Sequence, residues 1–502
     1  MTDKETKKFF YYLNHNNLIN EIEKYGYVIT VKKLLLTYVM IVIGCLGTAY
    51  LFNLAPLGYV ILCVVAVILT PIIIVYSYRA LYEQRRFSDA SHYIEKMLYY
   101  FKASEKVLDA LEDARAIFHD GVMKDKINEA ILFIRSANTD HVEEKALHII
   151  EEEFSNDRIR SMHRFLLNVE KNGGRPDLGI EMMLEDRERW TDNVVLLQKE
   201  NKKIKTIFIS LEILIVGICL LFIYGPKNFP ALNYDISIYP VERIASIGLI
   251  VSGLVIYTKL SKDMCKNWLD TDKVKSDEEY KKQYEYIVNF DRKKEIKKSA
   301  LCSIIPAIIT AVVYLLVRSK VFLVLGVALT LFILFSFKIG YAIGKRQLEK
   351  EIEKAFPTWL LNVALMLQMD NVSMAILNTF ETAPGILKPE IRRMLLALDE
   401  TPNSPIPFND FMKIFNIPEI HEAMSALYSV MNASGSDIEK EFREILKRNN
   451  KLVNKAQQLK NKDMALLNDV YYFIPLGIGS VHLIVDSAVM FICILGNFTT
   501  MM

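Results

Sequence analysis

The sequence has little of what marks several common classes of protein. It contains six cysteines in 502 residues and no Cys-x-x-Cys pair, which excludes a scaffold held by disulfides. A formal net charge of only +2 argues against a dedicated nucleic-acid-binding protein. Intrinsic disorder is excluded because 52% of the residues are hydrophobic. Charged residues still make up 24%, so apolar and charged residues must occupy different parts of the chain, as in a polytopic membrane protein with sizeable water-soluble regions.

The motifs of common enzymes are also missing. There is no G-x-x-x-x-G-K-[ST] phosphate loop, no H-E-x-x-H, no G-x-S-x-G, and no G-x-G-x-x-G after a strand. None of the eight histidines stands at metal-ligand spacing from a cysteine. The acidic, histidine-containing stretch from His119 to Glu153 is interpreted as a solvated helical face beside a loop, with a metal site as the alternative. The sequence therefore predicts no catalytic, cofactor-binding or metal site.

Seven apolar segments are long enough to cross, as helices, a hydrocarbon layer about 30 Å thick. The fourth is short, but Arg243 and Lys259 bracket it and can extend to the two interfaces. The seventh contains Pro475, and it is either one kinked helix or a hairpin. The predicted spans are Leu34–Phe52, Leu57–Tyr76, Thr206–Tyr224, Ile244–Thr258, Ser299–Val317, Val321–Phe337 and Val470–Gly496.

The distribution of Lys and Arg predicts how the chain is oriented. The connection 259–298 holds twelve of these residues, whereas the short loops 53–56 and 318–320 hold few. Because basic residues collect on the cytoplasmic side, we expect the N-terminus, both large polar regions and the segment 259–298 to lie in the cytoplasm. The C-terminus is then outside, and the protein is a multi-pass protein of the cytoplasmic membrane.

The two polar regions, 79–205 and 338–469, resemble each other. Phe87 and Phe356 open similar segments at an offset of 269 residues, and Phe154 and Phe415 do so at an offset of 261. Three pairs of spans match at offsets of 264 or 265. Five matches in the same order predict a tandem duplication. A unit that crosses the membrane three times ends outside, so the unmatched span Ile244–Thr258 supplies the crossing that keeps both soluble regions on one face.

The predicted fold is all-α, because both polar regions show helical periodicity and no segment alternates with period two. Gly173, Gly174 and Gly435 are predicted to form turns at helix ends. The predicted parts are a cytoplasmic N-terminal segment (1–33), a transmembrane hairpin (34–78), a first cytoplasmic bundle (79–205), transmembrane helices three and four (206–258), a basic cytoplasmic linker (259–298), a second transmembrane hairpin (299–337), a second cytoplasmic bundle (338–469) and a seventh transmembrane helix (470–496).

Three ionisable residues lie within the predicted spans, where an unpaired charge is costly. His482 and Asp486 are four residues apart, on one helical face of the seventh span. They could form a proton or ion relay, a polar seam against another helix, or a locally satisfied pair. Glu212 in the third span could pair with Lys205 or contact a charge on a partner.

The second copy opens with Phe356, Pro357 and Leu360, and these residues begin a motif that resembles the F domain of platform proteins from type II secretion and type IV pilus systems. In that family two spans precede a cytoplasmic helical bundle that opens with F-P-x-x-L-x-x-[LV]-x-x-x-[LM], and a late G-x-x-[IL]-x-x-x-[FL] helix precedes the closing span. The first copy departs from the motif, since Ser88 replaces the proline. The span order is most similar to the tight-adherence branch, with two platform subunits fused. The matching residues are Phe356, Pro357, Leu360, Val363, Leu367, Gly435, Ile438 and Phe442.

The resemblance implies a platform protein of the cytoplasmic membrane that is not an enzyme. It implies contacts between the cytoplasmic bundles and a secretion ATPase on a separate chain, and between the spans and the transmembrane helix of a pilin or pseudopilin. Membrane lipid and a second copy of the chain are further expected partners, and nucleic acid is not. The candidate contact residues for the ATPase are Glu181, Glu185, Glu439 and Glu444.

A membrane transporter or channel is the alternative. It would use Glu212, His482 and Asp486 as polar groups near the midplane, and it predicts broken helices that converge on them.

Overall fold

The structure is a computed structural model that describes residues 11–12, 14–136, 141–173, 176–225, 235–269, 277–317, 320–367, 370–432 and 436–501. Over these ranges nearly all residues are helical and none is in a strand, so the all-α prediction is confirmed. The helices are α1 (His15–Lys24), α2 (Val31–Leu51), α3 (Pro56–Ser104), α4 (Val107–Ile117), α5 (Val122–Ser136), α6 (Val142–Glu153), α7 (Asp157–Asn172), α8 (Asp177–Tyr224), α9 (Pro240–Asp263), α10 (Asp277–Val288), α11 (Arg292–Val317), α12 (Lys320–Met366), α13 (Val372–Thr379), α14 (Lys388–Glu400), α15 (Ile406–Asn409), α16 (Pro418–Asn432) and α17 (Ser436–Met501).

Six helices within the described ranges are long and apolar enough to cross a membrane. They are α2, α3, α8, α9, the part Gly326–Met366 of α12, and the part Val470–Ile494 of α17. These cover six of the seven predicted spans, which makes the chain a multi-pass membrane protein by length and composition. The fifth predicted span lies within α11, so the count of seven stays a prediction.

Four of the apolar helices continue beyond their apolar part as single helices. The helix α3 has 49 residues, α8 has 48, α12 has 47 and α17 has 66. At about 1.5 Å per residue, each is on the order of 70 Å long or more. The predicted boundaries between membrane and cytoplasmic parts therefore fall inside continuous helices. The seventh predicted span is one helix rather than a hairpin, with Pro475 in its interior.

The chain divides into two compact units. The first comprises Met1–Leu166, Met183–Thr271 and Lys462–Met502. Its apolar core joins residues of α2, α3, α8, α9 and α17, among them the fully buried Phe52, Leu62 and Cys219. The amphipathic helix α1 packs on α2 and α3 through Leu18 and Ile22. This packing places α17 in one bundle with four helices that come from the first half of the sequence.

The short helices of the first unit bury a polar group among apolar side chains. The His163 ring on α7 bonds the Tyr93 hydroxyl at 2.9 Å and the Glu151 carboxylate at 2.7 Å. Burial lowers the pKa of His163, and the nearby Glu151 carboxylate opposes that shift.

The second unit comprises Leu167–Met182 and Asp272–Asn461. Its core is aromatic, since Phe356, Trp359 and Phe411 lie within 6.0 Å of one another by ring centroid. The buried Glu390 carboxylate accepts hydrogen bonds from the Tyr284 hydroxyl and, at 3.2 Å, from the backbone N–H of Met412. These bonds join α10 and the segment after α15 to α14.

Candidate functional site

The candidate site is built around two polar residues on the apolar part of α17. His482 and Asp486 lie one helical turn apart, and His482 Nδ1 is 3.0 Å from Asp486 Oδ2. They are 2% and 0% exposed, and helices of the first unit surround them. The structure thus brings together the pair that the sequence predicted, in the interior of the helix bundle.

The helix α9 adds two polar side chains to this pair. Ser246 Oγ lies 3.0 Å from His482 Nε2, and it donates a hydrogen bond of 2.6 Å to Glu242 Oε1. Both Ser246 and Glu242 are fully buried. A continuous row of polar groups therefore runs from Glu242 through Ser246 and His482 to Asp486.

The helices α8 and α2 complete the surroundings. The Sγ of Cys219 on α8, a ring nitrogen of His482 and a carboxylate oxygen of Asp486 all lie within 4.8 Å of one another. The ring of Phe52, just after α2, meets the His482 ring edge-on at 6.0 Å. Together, Cys219, Glu242, Ser246, His482 and Asp486 form what we call the polar cluster.

The hydrogen bonds fix which ring nitrogen of His482 carries a proton. Because Ser246 gives its hydroxyl hydrogen to Glu242, its oxygen can only accept from His482. This arrangement assigns a proton to Nε2, and it leaves Nδ1 to hold a second proton or to bind a cation. Nδ1 faces the carboxylate of Asp486, and a lone pair there would repel that oxygen unless a proton or a cation lay between them.

Glu212, the third predicted intramembrane residue, is not part of the polar cluster. It lies on α8, and its carboxylate packs against the backbone of Gly253 on α9. No ion pair joins it to Lys205, although the structure describes both residues. The lack of a side chain at Gly253 is what gives the Glu212 carboxylate room, because a Cβ there would clash with it.

The structure describes three of the four glutamate side chains that are predicted to contact a partner. Glu181 and Glu185 are exposed on α8, and Glu185 pairs with Arg189 at 3.6 Å. Glu444 on α17 is partly exposed and pairs with Arg448 at 3.4 Å. The side chain of Glu439 lies outside the described part of the chain.

Of the three glycines predicted to end helices, the structure describes one. Gly173 follows α7 directly and has φ +69°, a conformation in which glycine carries no steric penalty. Its N–H bonds the carbonyl of Val169 at 2.8 Å. Gly174 and Gly435 lie outside the described residues.

Sequence reasoning missed three members of the polar cluster. Cys219 lies in the apolar run of the third predicted span, and Glu242 lies just before the fourth, so neither stands out in the sequence as a functional residue. Glu242 and Ser246 stand four residues apart, as His482 and Asp486 do, and this shared spacing was a signal that both helices have a polar face. Nothing in the sequence indicated that these two faces meet.

Comparison with protein-family models, with curated proteins and with solved structures gave no significant match.

Proposed function

We propose that the protein is a platform of the cytoplasmic membrane in a type IV pilus or type II secretion-like machine of the tight-adherence type. In this role it couples a cytoplasmic secretion ATPase to the extraction of a pilin and its assembly into a filament. The proposal rests on the resemblance of the F-P-x-x-L motif, and the single structural observation that carries it is a repeated order of helices.

The helices form two series in the same order. The eight helices α1 to α8 can be matched one by one to α10 to α17, and all eight starting points differ by 259 to 266 residues. In each series a short helix precedes a helical hairpin, the second arm of the hairpin extends into a bundle of short helices, and a long apolar-ended helix closes the series. Among the α-helices of the described residues, α9 alone has no counterpart in the other series. We infer that the chain is a tandem duplication joined by one additional membrane crossing.

Equivalent contacts support the duplication. The rings of Tyr27 and Tyr78 meet at 5.5 Å, and those of Phe290 and Tyr341 meet at 4.2 Å. Each residue of the second pair follows its counterpart by 263 positions. The same contact, between the segment after the short helix and the second arm of the hairpin, is therefore made twice. Chance similarity of composition would not reproduce a contact at one offset.

The closing helices α8 and α17 meet through equivalent residues. A Cβ on Gly479 would lie 2.7 Å from Ile215, so the two helices approach closely at this point. Phe208 and Tyr472 share a second apolar cluster. Both pairs are separated by 264 residues. Parallel helices that pack through equivalent residues are related by a local two-fold rotation, as the subunits of a symmetric dimer are.

The long helices supply a physical route for mechanical coupling. The helix α17 begins in the second bundle, where Lys455 pairs with Glu353 and Glu419 at 2.9 Å each. The same helix carries His482 and Asp486 in the membrane bundle. We infer that a displacement of the second bundle by an ATPase reaches the apolar part of α17 along this helix, which is continuous from Ser436 to Met501. Platform function of this kind needs no active site.

The motif residues have a structural part in this proposal. Phe356, Leu360 and Val363 are fully buried in the second bundle. Their role is to hold the first bundle helix against the others, which leaves the exposed acidic faces for partner contact.

The proposal is tested by site-specific photocrosslinking in native membranes. A photoreactive residue replaces Glu181 or Glu185, and a matched control carries it at Asn53, which is exposed between α2 and α3. We expect a secretion ATPase to be crosslinked from the two glutamate positions and not from Asn53. Mass spectrometry should also recover a pilin-like protein with the full-length chain. Recovery of neither partner from membranes that contain both would refute the proposal.

A further inference from the structure

We propose that the polar cluster binds one transition-metal ion of the zinc type, through Cys219, His482 and Asp486. This site lies in the membrane helices of the first unit, and its existence does not depend on the platform proposal. The metal would tie the closing helix α17 to α8 directly, and to α9 through the hydrogen bond between His482 and Ser246.

The first argument is the donor set. A thiol sulfur, an imidazole nitrogen and a carboxylate oxygen from two helices lie within 4.8 Å of one another. Sulfur and nitrogen donors disfavour Ca²⁺ and Mg²⁺, which take oxygen ligands, and favour Zn²⁺ and its neighbours in the transition series. Two ligands of a tetrahedral zinc ion stand about 3.3 Å apart, given bonds of about 2.0 to 2.1 Å. The separation of 3.0 Å between His482 Nδ1 and Asp486 Oδ2 is near this value.

The second argument is the set of hydrogen bonds around the ring. The bond from Nε2–H to Ser246, and from Ser246 to Glu242, leaves Nδ1 as the nitrogen that faces Asp486 and Cys219. Histidines that bind metals have their other N–H held in this way by an outer polar group, which fixes the ring and its tautomer. The row of Ser246 and Glu242 provides such a support.

The third argument is the unsatisfied carboxylate oxygens. Asp486 Oδ1 and Glu242 Oε2 are buried and have no hydrogen-bond partner. A buried carboxylate oxygen without a partner is costly, and more so where no water can reach it. A divalent cation beside Asp486 removes that cost for its carboxylate. With the Cys219 thiolate, the Asp486 carboxylate and a neutral His482, a divalent ion gives a site of zero net charge.

Binding requires one proton transfer. The Cys219 thiol loses its proton to solvent as the sulfur–metal bond forms, because the thiolate is the ligand. His482 keeps its proton on Nε2 and binds through Nδ1, and Asp486 binds as the carboxylate. No oxidation or reduction takes place.

The test measures zinc in the full-length protein, purified in detergent without added metal and then dialysed against Zn²⁺. We expect about one zinc ion per chain in the wild type by inductively coupled plasma mass spectrometry. The zinc content should be at least tenfold lower in Cys219→Ala and in Asp486→Asn. The matched control is Cys493→Ala, since Cys493 is buried in the same apolar core but is not among the three ligands. It should keep its zinc. Ser246→Ala should retain the site with an affinity about 10 to 100 times lower.

A second readout does not depend on the variants folding. Co²⁺ in place of Zn²⁺ gives a thiolate-to-metal absorption band in the near ultraviolet only when sulfur is a ligand. We expect this band in wild-type protein and its disappearance on addition of excess Zn²⁺. A monodisperse wild-type protein that takes up no zinc and shows no cobalt band would overturn the proposal, and a proton would then bridge His482 and Asp486. Equal zinc uptake by wild type, Cys219→Ala and Asp486→Asn would overturn it as well.

Discussion

At the scale of single residues, the first bundle holds a buried histidine by hydrogen bonds to both of its ring nitrogens. His163 in the first bundle is 1% exposed and is held between Tyr93 and Glu151. The pKa of His163 is lowered below its ordinary value of 6.5, because burial disfavours the charged ring. In the folded protein the ring therefore stays neutral at a pH where an unfolded chain would already take up a proton.

This difference predicts a loss of stability in mild acid. Below pH 6.5 the unfolded state binds a proton that the folded state does not, so stability falls with decreasing pH by up to about 1.4 kcal/mol per pH unit. Thermal unfolding in detergent between pH 7.5 and 5.5 measures the effect. We expect the fall to be smaller in His163→Gln. The exposed His119 is the control, and an equal reduction in His119→Gln would contradict the assignment to His163.

At the scale of helices, the pair α8 and α17 depends on a close approach in the membrane part. Gly479 is buried against Ile215, whereas Gly477, two residues earlier on the same helix, is exposed and has no neighbouring atom within 4 Å of a built Cβ. The two glycines lie close together on the same helix but differ in their surroundings. Substitutions at the two positions therefore distinguish the effect of packing from the effect of helix propensity.

We expect Gly479→Val to destabilise the protein by about 1 to 3 kcal/mol, because the added side chain forces α17 away from α8. Gly477→Val should change stability by only a few tenths of a kcal/mol, since its side chain meets open space. The two variants are compared by the midpoint of thermal unfolding, which is measured as the loss of the monodisperse peak in size-exclusion chromatography after heating. Equal midpoints would show that α8 and α17 do not pack through Gly479.

At the scale of the whole molecule, the first unit includes the C-terminal helix. The bundle of α2, α3, α8 and α9 shares its core with α17, through Val489 and Cys493 among others. The fold of the first half is therefore completed by the end of the chain, and the halves should stay together after a cut between them.

A protease site is inserted between Leu269 and α10, and the protein is cleaved in detergent and purified through an N-terminal affinity tag. We expect the C-terminal fragment to be purified together with the tagged N-terminal fragment. The same insertion combined with removal of residues 470–501 is the comparison, because the second fragment then lacks the helix that completes the bundle. Residues 167–182 of the first fragment still belong to the second unit, so we expect weaker co-elution rather than complete separation. Separation of the intact fragments in mild detergent would contradict the packing of α17 in the first unit.

The predicted orientation is tested by labelling of introduced cysteines in intact cells. Asn53 and Ser136 are both exposed, after α2 and at the end of α5. If the first bundle is cytoplasmic, a maleimide that does not cross membranes labels Asn53→Cys and leaves Ser136→Cys unlabelled until the cells are opened. The wild-type protein, with its native cysteines, gives the background. The reverse pattern would invert the topology.

Much of the architecture could be predicted because it follows from local pattern. Apolar length predicts helices that cross a membrane, and residues 34–51, 57–76, 206–224 and 244–258 all lie in helices of the expected kind. Helical periodicity predicts the all-α fold. The continuity of α3, α8, α12 and α17 through both environments was not predicted, since a change from apolar to charged residues marks a change of solvent and does not by itself end a helix.

The sequence by itself determined the helices, their apolar parts and the His482–Asp486 pair, because each depends on residues within a few positions of one another. Only the tertiary structure decided that Cys219 and Ser246 lie beside that pair, and that α17 completes the bundle formed by the first half of the chain. Cys219 and His482 are separated by 263 residues, and their meeting depends on which helix faces pack together. Which faces pack together depends on the fit between side chains, as at Gly479 and Ile215. The periodicity of a single helix does not indicate which other helix packs against it.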